Sequence, residues 1–262
     1  MCQPITVPLR GASDSAGVQE ISSPRFAAFY NWMMDQPLVR RGFDPLRREI
    51  VGQAQGLVLE VGAGGGQNFP FYDPTRVVRV EAVEPDEAML IAASGALSAA
   101  PVPITLTHAP VESLPFPDGQ FDTVVVSLVF CSVGDPERGL HEIWRVLKPG
   151  GTLLLLEHVR AQARMVAWLQ DVLVPVTTRC MGHCHWNRET LQTVLHTGFQ
   201  TTQVRQLSGG TPADTAHLCE TSLSAGGDER PQGRTPFCSE RGSNAVRRTD
   251  MPEETHVLRA VE

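Results

Sequence analysis

Hydrophobic and polar positions along the middle of the chain alternate between two periods. Five short runs rich in Val, Leu and Ile predict strands: GLVLEV (56–61), VVRVEAVE (77–84), ITLT (104–107), FDTVVVSLVF (121–130) and TLLLLEHV (152–159). The fourth run is apolar over most of its length, which is typical of a strand buried on both faces of a parallel sheet. The pattern therefore predicts a core sheet of at least five strands.

The segments between these runs have the spacing of helices. Residues 86–100 open with acidic side chains, which suit a helix N-terminus. Residues 136–147 place four large apolar side chains on one helical face, namely Leu140, Ile143, Trp144 and Leu147. A further helical pattern runs from Phe26 to about Ile50. Strands that alternate with helices predict βαβ units, and so an α/β fold with a doubly wound, mostly parallel sheet.

The two ends of the chain differ from this middle part. Residues 1–24 are polar and rich in Gly, Ser and Pro, which predicts disorder. Residues 208–254 contain one aromatic residue and no clear period, which predicts a disordered insertion or tail. Residues 255–262 contain the strand-like THVLRAV, which we expect to supply a last strand. The folded domain is thus expected over residues 25–207.

Composition and charge narrow the class of protein. The net charge is −7 and no basic stripe is present, which argues against nucleic acid as a partner. The six cysteines have no regular spacing and no signal peptide precedes them, so we expect reduced thiols and a cytoplasmic location. No run approaches the roughly 20 apolar residues of a membrane span, so no transmembrane segment is expected. The oligomeric state cannot be predicted from these features.

The stretch EVGAGGGQNF (60–69) follows the first predicted strand and indicates a ligand that comes close to the backbone. A phosphate-binding P-loop is excluded because the stretch has no lysine. A dinucleotide fingerprint would need a third glycine where Gln67 stands. S-adenosyl-L-methionine is the third candidate, because Glu84 ends the second strand and could accept both ribose hydroxyls. Glu84 alone does not exclude a nicotinamide cofactor, which also carries a ribose.

Four stretches together resemble the class I S-adenosylmethionine-dependent methyltransferases: EVGAGGGQN, VEPDEAML, residues 111–159 and GHCHWNRETLQTVLHTGF. The most specific parts are LPFPDGQFD and RVLKPGG. The likeness spans about residues 25–207 and is greatest to the methyltransferase type 11 group, with its quinone-biosynthesis C-methyltransferases. The EHV…CHWNRET half is similar to thiol methyltransferase-like proteins. The resemblance implies a Rossmann-like fold and S-adenosyl-L-methionine as cofactor.

The resemblance also implies roles for individual residues. The methionine end of the cofactor would lie at Glu60, Gly62, Ala63, Gly64, Gly66 and Asn68. Glu84 would hold the ribose, with Pro85 and Met89 near the adenine. Ser127, Leu128 and Val129 would face the methyl group and the acceptor. The family often has an aspartate where this chain has Pro110, which leaves Val111 and Glu112 for the adenine amine.

Histidines and cysteines near the end of the domain are the remaining candidates for chemistry. Cys180, His183, Cys184 and His185 have the side chains of a zinc site, but their spacing is cramped and no second cluster completes a ligand set, so no metal is expected. A loop that closes over the acceptor pocket is the favoured interpretation. His158 and His183 are the candidate catalytic residues, as bases for an acceptor that must lose a proton.

The sequence thus predicts an S-adenosylmethionine-dependent methyltransferase that acts on a small, lipophilic acceptor. The cofactor is already activated, so the protein mainly aligns and desolvates the reactants. Two alternatives stay open, a nicotinamide-dependent oxidoreductase and a non-catalytic, cofactor-binding regulatory protein. The apolar face of the helix at 165–174 is expected to be core or a lid over the pocket, with peripheral membrane contact as the alternative.

Overall fold

Seven strands form one sheet in the computed structural model, which describes residues 24–158, 160, 164–180, 184–208 and 215–222. The strand order is β3-β2-β1-β4-β5-β7-β6. The strands are β1 (Gly56–Val61), β2 (Val77–Glu84), β3 (Ile104–His108), β4 (Phe121–Ser127), β5 (Leu147–His158), β6 (Gln200–Ser208) and β7 (Thr215–Ser222). Pairing is parallel from β3 through β5, which confirms the predicted α/β fold with its mostly parallel sheet.

The last two strands run antiparallel to the rest. β7 lies between β5 and β6 and pairs with both of them. The prediction that the whole of 208–254 is disordered is therefore wrong for Thr215–Ser222, and the folded domain extends past residue 207. The strand TAHLCETS has few large apolar residues, but neighbours on both sides satisfy its backbone groups, which its sequence pattern alone does not reveal. Residues 1–23 and 255–262 lie outside the described residues.

In the described ranges, six helices connect and flank these strands: α1 (Pro24–Met34), α2 (Pro37–Val51), α3 (Glu87–Ala96), α4 (Pro136–Val146), α5 (Arg164–Cys180) and α6 (Thr190–His196). Short 3₁₀ turns cover Phe69–Phe71 and Leu97–Ala99. The helical pattern from Phe26 to Ile50 is split in two, because Pro37 holds Gln36 in an extended conformation and starts α2. No helix in the described ranges has the length and hydropathy needed to cross a membrane.

Apolar side chains cover both faces of the sheet. One cluster joins Leu140, Ile143 and Val146 of α4 to Val124 and Val126 of β4. The other joins Val125 of β4 to residues of α2 and α3, among them Ile50, Val51, Leu90 and Ala93. β4 thus contributes to both clusters, which confirms that it is buried on both sides. Its carboxyl end and those of β1 and β2 form the edge where ligands bind in open α/β sheets.

Candidate functional site

The turn after β1 requires glycine at three positions. Gly62, Gly64 and Gly66 have φ values of 69°, 53° and 82°, a region that favours glycine. A Cβ on Gly62 would also collide with the side chain of Val129, which follows β4. The N–H groups of Gly62 and Ala63 donate to the Val83 carbonyl at 2.9 and 3.0 Å, so the turn is tied to β2 as well. The glycines bring the ends of three strands together.

Glu84, which ends β2, is oriented by this turn. Its Oε2 accepts the Gly64 N–H at 2.8 Å, and its Oε1 accepts the Asp86 N–H at 3.0 Å. Burial raises the pKa of Glu84 to about 7, while the N–H groups of Asp86 and Gly64 act in the opposite direction. A carboxylate has about four acceptor positions, so both oxygens can still accept hydroxyl donors.

Glu60 is the centre of a second buried network. Its Oε2 accepts the Tyr72 hydroxyl at 2.7 Å, and its Oε1 accepts Asn68 Nδ2 at 3.1 Å. The same Asn68 nitrogen lies 3.1 Å from Ser127 Oγ, so the glycine turn is linked to the end of β4. Burial raises the pKa of Glu60 to about 7. Within the described ranges, Asn68 Oδ1 is buried without a hydrogen-bond partner and is therefore a candidate contact for a ligand.

The segment after β4 is held in an unusual conformation. Leu128 has a φ of 60°, which a residue with a Cβ rarely adopts outside functional sites, and its N–H donates to the Leu156 carbonyl at 2.7 Å. The Glu157 carboxylate accepts the N–H groups of Val129 at 2.7 Å and Phe130 at 3.0 Å. These bonds fix the backbone that the resemblance assigns to the methyl group and the acceptor.

Arg188, from the segment before α6, also holds this loop. Its Nη1 donates to the carbonyls of Phe130 at 2.5 Å and Val133 at 2.8 Å. The His185 N–H donates to the Cys131 carbonyl at 2.7 Å, and the thiols of Cys131 and Cys184 are in hydrogen-bond contact, which lowers the pKa of Cys184. Residues 184–188 are therefore attached to the loop that follows β4, and their closure over an acceptor pocket stays a prediction.

Each residue expected near the adenine has a different environment in the structure. Met89 is buried, and its sulfur lies 3.7 Å from Asn31 Nδ2. The Pro85 carbonyl lies 2.7 Å from His108 Nε2. Val111 is buried in the core under α4. Glu112 Oε1 accepts the N–H groups of Gly134 and Asp135 at 3.2 and 3.3 Å, so this carboxylate is already engaged in fixing the start of α4.

Helix α1 covers the glycine turn, a contact that sequence reasoning did not assign to individual residues. Asn31 accepts Gln67 Nε2 at 2.9 Å and contacts Met89, so α1 bridges the turn and α3. Tyr30 lies within electrostatic reach of Glu84, Cys131 and Cys184, and burial raises its pKa to about 12. The aromatic residues near the start of α1 were the only signal for this contact.

Of the two histidines predicted to be catalytic, the structure describes only His158, and only its backbone. The backbone of His158 ends β5 and pairs with Ala216, but its side chain is not among those described. His183 lies outside the described residues. In the part of the chain that the structure covers, no three His, Cys, Asp or Glu side chains come together as metal ligands. Of the four zinc candidates, His183 lies outside the described residues, and the structure describes Cys180 by its backbone alone.

Comparison with known families supports the methyltransferase family that the sequence motifs predict. Residues 59–155 match the model of a methyltransferase domain. The chain is 32% identical over 188 residues to the thiol S-methyltransferase TMT1A of Homo sapiens, which covers 70% of this chain and 75% of TMT1A. It is 29% identical over 125 residues to the ubiquinone/menaquinone biosynthesis C-methyltransferase UbiE of a Marinomonas species, covering 41% of this chain and 50% of UbiE.

Solved structures share the fold. The N-methyltransferase NodS of Bradyrhizobium japonicum, in complex with S-adenosyl-L-homocysteine, superimposes with a TM-score of 0.56 at 17% identity. The alignment covers 73% of this chain and 91% of NodS. The two proteins therefore share a fold.

Proposed function

This chain belongs to the class I S-adenosylmethionine-dependent methyltransferases, and from that premise we propose that its acceptor is the thiol of a small, lipophilic molecule. The chain uses S-adenosyl-L-methionine as its methyl donor. Its membership of this family sets aside the nicotinamide-dependent oxidoreductase and the non-catalytic binding protein that the sequence left open.

The residues around the glycine turn fit this cofactor. Gly62 and Gly64 give the turn its positive φ values, Glu84 is fixed with acceptor positions to spare, and Asn68 Oδ1 has no partner among the described residues. The proposal therefore keeps the residue roles that the resemblance implies. The methionine end is assigned to the glycine turn, the ribose hydroxyls to Glu84, and the adenine to Pro85, Met89, Val111 and Glu112.

The chemistry assigned to this chain's own residues is positioning. When bound, the cofactor supplies a methyl group on a sulfonium centre, which a nucleophile displaces in line. The loop of Ser127, Leu128 and Val129 sets the direction of approach, because Glu157 and Arg188 hold its backbone. Helix α1 and residues 184–188 cover the two sides and exclude water, which strengthens the electrostatic interactions inside.

The proposal of a thiol acceptor rests on the extent of the likeness to TMT1A. That alignment has 188 residues, far more than residues 59–155 can contain, so it includes a large part of the chain outside the methyltransferase-domain match. The likeness to UbiE covers only 41% of the chain. The more extensive likeness to TMT1A favours the thiol over the quinone ring.

The lipophilic character of the acceptor is supported by α5. Met165, Trp168, Val172 and Val176 lie three or four positions apart on this helix and are all more than half exposed. The same helix contacts residues 184–188, because Gln170 Nε2 donates to the Trp186 carbonyl at 3.3 Å. This stripe offers an apolar approach for a lipophilic thiol, or peripheral contact with a membrane that contains it. A cytoplasmic location and the absence of a nucleic-acid partner stay predictions.

The test is a panel of acceptors offered to the full chain with S-adenosyl-L-methionine. The panel contains an alkane thiol, an aromatic thiol, a hydrophilic thiol and a substituted hydroquinone with a lipid tail. We expect methyl thioethers from the lipophilic thiols and little product from the hydrophilic one. Methylation of the hydroquinone ring carbon without any thioether would contradict the proposal and assign the chain to quinone chemistry.

A further inference from the structure

We infer that His185 is the base that accepts the proton of the acceptor, a role that the sequence suggested for His158 or His183. The inference rests on the proposed thiol acceptor and deepens it. A cysteine thiol has an ordinary pKa of about 8.5 and an alkane thiol is a weaker acid, so an alkane thiol is mostly protonated near neutral pH, while the thiolate is the nucleophile. A positioned base that removes this proton contributes about 10²–10⁴ in rate.

The location of His185 is fixed by backbone contacts. Its N–H donates to the carbonyl of Cys131 at 2.7 Å, and Cys131 follows the end of β4 by four residues. Ser127, which ends β4, is linked through Asn68 to the glycine turn. The imidazole therefore belongs to a segment that is attached directly to the edge of the sheet where the acceptor and the cofactor must meet.

The segment around His185 is rigid enough to aim a side chain. The Arg188 N–H donates to the His185 carbonyl at 3.2 Å, and the Arg188 guanidinium is bonded to the loop after β4. The next residue, Trp186, is tied to Gln170 of α5 in both directions, through its carbonyl and through its Nε1, each at 3.3 Å. A base must be held within hydrogen-bond reach of the proton it removes, and such a segment provides that.

The imidazole itself has an unfilled position. His185 Nδ1 is buried, and within the described ranges it has no hydrogen-bond partner. A buried polar atom without a partner costs stability, so its presence in a closed site is a reason to look for a ligand that completes it. A neutral imidazole has one nitrogen that accepts a hydrogen bond, and an acceptor S–H group is a donor that would fill this position.

The other titratable groups that meet at this loop are less suited to the role. Glu157, from β5, already accepts two backbone N–H groups with Oε1. Tyr30, from α1, has a pKa of about 12, so it remains a neutral phenol that can donate but not accept the proton. The thiols of Cys131 and Cys184 are in contact with each other, and Arg188 is a cation.

The proposed reaction breaks two bonds and forms two. The acceptor S–H bond breaks, and its proton passes to His185 Nδ1, which becomes an imidazolium. The sulfur lone pair forms the new S–CH₃ bond while the methyl–sulfonium bond breaks, and that bond's electron pair stays on the departing sulfur. The products are a methyl thioether and neutral S-adenosyl-L-homocysteine. The imidazolium then releases its proton to water, which restores the free base.

The experiment compares His185→Gln with wild type on two thiols of different acidity. The alkane thiol is protonated near neutral pH, whereas the aromatic thiol is largely ionised and needs no base. We expect kcat/KM for the alkane thiol to fall about 10²–10⁴-fold in the variant, and kcat/KM for the aromatic thiol to change little. His196→Gln is the matched control, because His196 is an exposed histidine on α6 and should leave both values unchanged.

The pH profile gives a second readout. In the variant, kcat/KM for the alkane thiol should rise about tenfold per pH unit with the thiolate fraction, whereas the wild-type value should depend less steeply on pH because its base removes the proton of the bound thiol. Calorimetric affinity for S-adenosyl-L-homocysteine must be unchanged in the variant, and His185→Asn serves if His185→Gln does not fold. Equal losses on both thiols, or no loss on either, would overturn the role of His185.

The two proposals fail in different ways. If wild type methylates no thiol on the panel, the proposed acceptor is wrong, and the same variants are then compared on the acceptor that is methylated. If wild type methylates the alkane thiol and His185→Gln does so equally well, the thiol proposal stands and the assignment of the base to His185 is overturned.

Discussion

Gly64 and Glu84 are joined by a hydrogen bond of 2.8 Å between the backbone N–H of the glycine turn and the carboxylate that ends β2. The two residues come from neighbouring parallel strands, and their contact fixes the distance between the surface for the methionine end and the acid proposed for the ribose. One bond thus connects two parts of the proposed cofactor site.

Replacing Glu84 with alanine should weaken cofactor binding without unfolding the chain. The variant removes the acceptor for two ribose hydroxyls, and hydrogen bonds to a charged group are each worth about 1.5–3 kcal/mol. We expect the dissociation constant for S-adenosyl-L-homocysteine to rise at least about tenfold in calorimetry. Glu87→Ala, an exposed acid in the first turn of α3, is the control. Equal affinities of the two variants for S-adenosyl-L-homocysteine would mean that Glu84 does not bind the ribose.

Replacing Gly62 with alanine should reduce the stability of the fold far more than the same change at Gly119. Both residues have a positive φ near 65°, 69° at Gly62 and 64° at Gly119, so both changes cost about 1–2 kcal/mol of backbone strain. Only the Cβ at position 62 collides with Val129, while nothing lies near the Cβ at 119. Denaturant unfolding should show a larger loss for Gly62→Ala, together with loss of cofactor binding. Equal stabilities would show that the turn can relax.

Replacing Glu60 with glutamine should change how stability depends on pH. Burial raises the pKa of Glu60 to about 7 in the folded chain, against an ordinary value of 4.5. The folded state therefore binds the proton more tightly, so the contribution of Glu60 to stability is largest at low pH and is lost as the pH rises from about 4.5 to about 7. Glutamine mimics the neutral acid, because the Tyr72 hydroxyl can accept from its amide as well as donate.

The measurement is the free energy of unfolding of the ligand-free chain in denaturant across this pH range. The difference between Glu60→Gln and wild type should move in favour of the variant as the pH rises, by up to about 3 kcal/mol. The difference isolates Glu60 from the other acids, whose contributions are common to both proteins. A difference that stays constant with pH would mean that Glu60 is charged in the folded chain throughout this range.

Replacing Arg188 with methionine should reduce catalysis more than cofactor binding. The change removes the donors to the Phe130 and Val133 carbonyls, so the loop proposed to face the acceptor loses one of the side chains that hold it. We expect kcat to fall by about tenfold or more, since small displacements of reacting groups are costly. Arg160→Met removes an exposed ion pair with Asp171 and should have little effect. Equal kcat values for the two variants would argue against this anchoring role.

The sequence could predict the parts of the fold whose signals are local. The five parallel strands follow from their apolar runs, and the glycine turn and Glu84 follow from a motif in which each residue is close in sequence to the element that positions it. The family, the cofactor and the methyltransferase activity followed from the motifs and are confirmed by the comparisons.

The residues that the sequence missed are those whose positions depend on tertiary contacts. Tyr72 reaches Glu60 across the turn, Asn31 reaches Gln67 from another helix, and Arg188 reaches a loop almost 60 residues earlier in the chain. β7 was missed for a related reason. Its stability comes from backbone pairing with β5 and β6 on its two sides, and such pairing leaves little trace in the hydrophobic pattern.

Transfer of a deuterated methyl group tests the central claim most directly. The full chain is incubated with S-adenosyl-L-methionine labelled in its methyl group and with an alkane thiol, and both products are measured by mass spectrometry. The account predicts a thioether that carries the intact labelled methyl group, formed in equal amount with S-adenosyl-L-homocysteine, and strongly reduced formation of both by Glu84→Ala. Label on the ring carbon of a hydroquinone, with none on any thiol, would contradict it.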